Sequence, residues 1–133
     1  MFSSITSAFV LAVLAATSAN AAVSAKPVIP SPDIANVGCF GGGQVGDCSS
    51  VINSFCTPDF NNVPGGASVT ECFNVNNYHC DFSVKNTASQ SQSISTALCE
   101  ADMLVTNNGC NGHGGIRADG NFQLTVDPNA GSC

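Results

Sequence analysis

The chain has no tryptophan, one tyrosine, two histidines and only three lysine or arginine residues. Each shortage removes a class of function. Three basic residues against nine acidic ones leave a net charge of −6 with no basic patch. Electrostatic binding of nucleic acid or of an anionic membrane is therefore disfavoured. No C-x2-C pair occurs, and at least seven residues separate successive cysteines. With so few histidines, a structural zinc site lacks its ligand spacing, and neither metal nor cofactor is expected. Neither a Ser-His-Asp nor a Cys-His nucleophile pattern is present. An N-x-[ST] acceptor is also absent, which leaves the surface bare of N-linked sugar.

What is present begins with an apolar run, AFVLAVLAA, followed by the small-residue patch TSANAA. Ala19-Asn20-Ala21 fits an A-x-A cleavage site, so residues 1–21 read as a secretory signal peptide and not as a membrane anchor. Residues 22–38, with three prolines and little periodicity, read as an extended N-terminal arm. The domain proper is then 39–133.

Eight cysteines follow the signal: Cys39, Cys48, Cys56, Cys72, Cys80, Cys99, Cys110 and Cys133. An even count behind a secretory leader implies an oxidising, extracellular destination and four disulfides. Spacing alone does not choose among the pairings that eight cysteines allow. A domain this small and sparsely charged has a marginal core, which covalent staples reinforce.

Periodicity places five elements. Val45, Cys48, Val51, Ile52 and Phe55 share one face of a helix over 45–56, with Asp47 as cap or first-turn acid. Cys48 and Cys56 on that face are expected to pin it to a sheet. Thr57–Gly66 reads as a loop. Residues 67–75 and 78–85 alternate across Asn76-Asn77 as a hairpin, with His79 on the solvent side. A longer helix over 87–105, capped by Thr87 or Ser89, carries an apolar stripe of Ile94, Leu98, Ala101 and Val105 flanked by Leu104. Asn107-Asn108-Gly109 ends it. Glu100 and Asp102, two apart, point to different faces and read as solvated surface. A polar loop over 110–120 precedes a strand with Phe122, Leu124 and Val126 on its inner side, closed by a turn at Asp127-Pro128-Asn129. The order helix, strand, strand, helix, strand makes an α+β domain with two helices and an antiparallel sheet of three or four strands.

The strand YHCDFSVKN, the helix with its cysteine, the loop CNGHGG and the ending GNFQLTVDPNAGSC together resemble the small secreted fungal lectins of the glycan-binding protein Y3 type. The resemblance spans Cys39 to Cys133. It implies an α/β/α-sandwich, a glycan ligand of the N-acetylhexosamine type on free glycans or glycoproteins, and a homodimer.

The composition agrees with a carbohydrate binder: a neutral surface rich in Asn, Ser, Thr and Gly offers hydrogen bonds without charge. Asn111, His113, Arg117, Asp119 and Asn121 of the last loop are the candidate ligand-binding residues, with Tyr78 as a stacking platform. Two other readings stand beside it. A stapled scaffold of this kind also suits a secreted non-enzymatic toxin or effector. His79, His113, Arg117 and Glu71 or Glu100 form the part list of a small secreted ribonuclease, although the acidic balance opposes RNA.

Overall fold

The structure, a computed structural model, describes residues 36–57 and 60–133. The stretch expected to be a signal peptide, and all but the end of the expected arm, lie outside the described residues. Seven strands and two helices follow in the order β1 (Val37–Cys39), α1 (Ser49–Cys56), β2 (Phe60–Val63), β3 (Ser68–Val75), β4 (Tyr78–Asn86), β5 (Gln92–Ile94), α2 (Thr96–Gly109), β6 (Gly115–Asp119) and β7 (Phe122–Ala130). The large sheet has five strands in the order β1-β6-β7-β4-β3, and β2 and β5 form a second, two-stranded sheet. Every pairing is antiparallel. The sheet is thus larger than the three or four strands expected, because the polar stretch 115–119 pairs with β7 and the end of the arm pairs with β6.

Alternation along β4 and β7 divides the sheet into two unlike faces. Cys80, Phe82 and Val84 on β4 and Phe122, Leu124 and Val126 on β7 point one way and are buried. Onto them pack Ile52, Phe55 and Cys56 of α1, Cys99 and Met103 of α2, and Phe60, Val63 and Ile94 of the small sheet. Phe55 anchors this core, stacked on Phe82 and tilted against Phe60 with ring centroids 5.2 Å apart in both pairs. Both helices therefore cover one face. The opposite face carries no helix, so the described domain is a two-layer α+β fold and not an α/β/α sandwich.

Four disulfides join Cys39 to Cys110, Cys48 to Cys80, Cys56 to Cys99 and Cys72 to Cys133. All eight cysteines are paired. Cys48 pins α1 to the sheet as expected, whereas Cys56 pins it to α2. The loops closed span 32 to 71 residues, and bridges of this reach typically contribute about 2–5 kcal/mol each.

Five local expectations are corrected. The first helix starts at Ser49 and not at Val45, which is half exposed; Asp47 sits ahead of it and its Oδ1 accepts the Ser49 N–H at 2.9 Å. The loop 57–66 contains β2, whose Phe60 and Val63 are buried. The long helix starts at Thr96, because Ser95 Oγ accepts the Leu98 N–H at 3.3 Å, and Ile94 belongs to β5. Its buried face is Cys99, Asp102, Met103, Thr106 and Asn107, while Leu98 and Leu104 are exposed. The stripe is set by the Cys99 bridge and Met103, not by the leucines. Finally, no turn forms at Asp127-Pro128-Asn129. Strand β7 runs on to Ala130, since β6 ends opposite Val126 and leaves no neighbour that needs the N–H proline lacks.

Candidate functional site

Strand β6 divides the six residues singled out in the sequence. Asn111 and His113 lie in the turn before it, Arg117 and Asp119 within it, and Asn121 in the turn after it. At the rise of a strand the two turns stand about 13 Å apart. Arg117 and Asp119 are in register with Leu124 and Phe122 and share their inward side. Arg117 is only 4% exposed. Its Nε donates to Asp102 Oδ1 at 2.7 Å, from sheet to helix α2. Asp102 is completely buried, so the expected solvated surface at this position is wrong. Arg117 and Asp102 form an ion pair inside the core. Burial pushes the Asp102 carboxyl above its ordinary value, against the pull of Arg117, and nearby Asp119 adds to the rise. The Arg117–Asp102 pair thus ties the sheet to helix α2 inside the core.

Tyr78 has a similar role at the other end of the core. Its Oη accepts the Asp47 N–H at 3.0 Å and donates to the Asp47 carbonyl at 2.8 Å. Its ring lies so close to Gly46 that a Cβ there would stand 2.4 Å from it. The tyrosine is a brace, with its hydroxyl and one edge committed, not a free stacking platform. Gly46 N–H in turn donates to the Gly112 carbonyl at 2.9 Å, which ties the 110–114 turn to this corner. Asp47 Oδ1 also accepts from Asn107 Nδ2 at 3.0 Å, and Asn107 Oδ1 accepts the Cys48 N–H at 2.9 Å. The Ser49 and Asn107 hydrogen bonds, Ser49 foremost, hold the Asp47 carboxyl below its ordinary value. A shallow hollow of about 320 Å³ lies among Val45, Asp47, Asn107, Asn108 and Gly112.

The uncovered face of the large sheet holds a larger groove that the sequence reading passed over. The register sets its rows. Ile116, Thr125, Ser83 and Thr70 cross the sheet in one row; Asp127, Asp81 and Cys72 form the next; Asn129, His79 and Asn74 the third. A cavity of about 530 Å³ lies over the first two rows, bordered by Thr70, Cys72, Asp81, Ser83, Thr125 and Asp127. Asp81 is held by Asn129, whose Nδ2 donates to Oδ2 at 2.9 Å, and by His79 Nε2 at 3.3 Å. His79 lies on the outer side of β4 as expected, but its side chain is only 15% exposed, packed beside Asp81. Asp127 stands directly opposite Asp81. The alternation of β4 and β7 was visible in the sequence, but polar residues on the outer side of a strand read simply as wetted surface.

Cys72, His79 and Asp81 converge at metal-ligand spacing, yet Cys72 is bridged to Cys133. A disulfide sulfur is no thiolate, so these three do not form a metal centre. The ribonuclease parts are likewise dispersed. Arg117 is buried against Asp102, and Glu100 Oε1 accepts from Asn53 Nδ2 at 2.5 Å, linking the helices. Among the described residues, no helix is long and apolar enough to cross a membrane.

A stapled α+β domain with a hydroxyl- and amide-rich open sheet face is a scaffold for small polar ligands. Residues 47–133 match the family described as glycan binding domain Y3. The antiviral protein CAP of Coprinus comatus is 32% identical over 97 residues, covering 68% of this chain and 94% of its own length. The chain belongs to the glycan binding domain Y3 family. The match begins at Asp47, so strand β1 and the Cys39 end of one disulfide lie ahead of it.

Proposed function

We propose that this protein is a secreted, non-enzymatic lectin that binds glycans ending in N-acetylhexosamine and acts as a homodimer. Family membership across residues 47–133 carries the reading. The chemistry of the surface supports it. Neutral sugars are recognised through hydrogen bonds to hydroxyl, amide and carboxylate groups, and the open face offers all three on a sheet made rigid by four disulfides. A rigid, preformed surface lowers the ordering cost of binding. The secreted destination rests on the four bridges, which an oxidising compartment sustains.

A glycan array probed with the disulfide-bonded protein tests the reading. Signals on neutral N-acetylhexosamine-terminated glycans are expected, and a flat array rejects it. Light scattering at micromolar concentration is expected to give twice the chain mass. No hydrolysis of RNA is expected at acidic or neutral pH, and turnover lost in His113→Ala would restore the ribonuclease alternative.

A further inference from the structure

The geometry points to the open face of the five-stranded sheet, centred on the facing pair Asp81 and Asp127, as the sugar-binding subsite, one that takes a neutral glycan terminus and rejects anionic ones. This assignment rests on the lectin reading above and gives it a location away from the C-terminal loop.

Four observations carry it. First, the cavity of about 530 Å³ falls within the range of about 300–1,000 Å³ typical of small-ligand sites. Second, its border sets the hydroxyls of Thr70, Ser83 and Thr125 and the carboxylates of Asp81 and Asp127, all groups that bond sugar hydroxyls, beside the apolar surface of Cys72 and Phe82. Among the described residues, no hydrogen bond engages the Thr70, Ser83 or Thr125 hydroxyls or the Asp127 carboxylate, so their capacity is open to a ligand. Third, Asp81 is oriented by Asn129 and His79, as a preorganised acceptor requires. Fourth, Asp81 and Asp127 face each other across β4 and β7. Like charges directly opposite on a sheet destabilise it. A ligand that donates hydroxyl protons to both carboxylates turns that arrangement into a chelating pair of acceptors.

The same pair selects the occupant. A sialylated, sulfated or uronic terminus brings a third negative charge next to two carboxylates, and among the described residues Lys85 is the one lysine or arginine on this face to oppose it. A second copy of the chain docked here by two-fold symmetry would bury four carboxylates together, which desolvation and repulsion oppose. A neutral, hydroxyl-rich ring meets neither objection. Tyr78 points to the other side of the sheet, in register with Val75. Apolar contact in the groove comes from the Cys72–Cys133 disulfide and Phe82, and the hydroxyl and carboxylate groups orient the ring.

The test compares binding of the disulfide-bonded protein and its variants to immobilised neutral N-acetylhexosamine-terminated glycans, each also presented with a sialic acid cap. Asp127→Asn and Asp81→Asn are expected to weaken binding about tenfold to a hundredfold, the worth of a hydrogen bond to a charged group. Asn111→Ala, in the competing loop, is expected to stay within about twofold, and the cap is expected to abolish signal. Asp127→Asn is also expected to raise the melting temperature, because it removes the facing charges. A merely structural carboxylate would lower it. Ser83→Ala provides a second probe that leaves the charge pair intact, with binding expected to fall about fivefold for the loss of one neutral hydrogen bond. Wild-type binding that survives all three groove substitutions, or that Asn111→Ala removes, overturns the location while leaving the lectin reading in place. Silence of the wild-type protein on every glycan rejects both. Binding to a glycoprotein that persists after enzymatic removal of its glycans overturns the assignment in favour of a protein-docking surface.

Discussion

Arg117 Nε lies 2.7 Å from Asp102 Oδ1, joining strand β6 to helix α2 inside the core. Both side chains are almost inaccessible to solvent. Two charges taken out of water together are tolerable; either alone is not. Arg117→Ala or Asp102→Ala is therefore expected to cost about 3–5 kcal/mol. The double substitution Arg117→Met with Asp102→Leu is expected to be near neutral or stabilising, since it removes both charges and fills the space. Urea denaturation of the three variants checks this. A single variant losing less than about 1 kcal/mol would contradict burial of the pair.

Asn86, buried at the end of β4, is the link between the two sheets. Its Nδ2 donates to the Val63 carbonyl at 2.8 Å and the Gln90 carbonyl at 2.7 Å, and its Oδ1 accepts the Ala88 N–H at 2.9 Å. Asn86→Ala orphans three backbone groups, each costing about 1–3 kcal/mol where water does not reach it. Amide exchange is expected to accelerate most in β2 and β5, ahead of β4 and β7. Uniform acceleration across the domain would mean that Asn86 is not a local hinge between the sheets.

Two aspartates impose opposite pH dependences. Asp47 is held below the ordinary value of 3.8 by Ser49 and Asn107. Its contribution is fully present above 3.8 and is lost as pH falls through its lower folded value. Asp102 is raised above 3.8 by burial. The folded state then holds the proton longer than the unfolded chain, and stability falls as pH rises from 3.8 through the raised value. The stability of Asp102→Asn relative to wild type is expected to climb across that window and to be flat below it. For Asp47→Asn the wild-type advantage is expected to shrink only below 3.8. Parallel curves for either variant would contradict the corresponding assignment.

The bridge from Cys72 to Cys133 closes a 61-residue span and borders the groove. Replacing both cysteines with serine is expected to cost about 2–5 kcal/mol and also to weaken glycan binding. Replacing Cys39 and Cys110, at the far edge of the sheet beside β1 and β6, is expected to cost comparable stability with binding retained. Equal binding loss in both would show that rigidity, not the groove wall, carries the effect.

The elements legible in the sequence were those with long-range alternation. The hairpin of β3 and β4, with Asn76 at φ 54° in its turn, and the inner residues of β7 are where period two placed them. The even count of eight cysteines likewise foretold four bridges. Strands β2 and β5, of four and three residues, are too short to carry a period, and they exist because Phe60, Val63 and Ile94 find a shared core. Asp102 shows the deeper limit. Nothing local distinguishes a helix carboxylate facing water from one facing an arginine fifteen residues away. The candidate loop shows the same limit in reverse. Arg117 looked available because its partner was invisible, whereas Asp81 and Asp127 looked like ordinary surface until the register placed them side by side.

The location of the sugar site is tested most directly by two-dimensional amide NMR of the labelled protein, titrated with a neutral N-acetylhexosamine oligosaccharide that binds on the array. The largest shifts are expected at Thr70, Asp81, Ser83, Thr125 and Asp127, with Asn111 to Gly115 nearly still. Shifts concentrated in the 110–114 turn and around Val45–Asp47, with the outer sheet face unmoved, would contradict it.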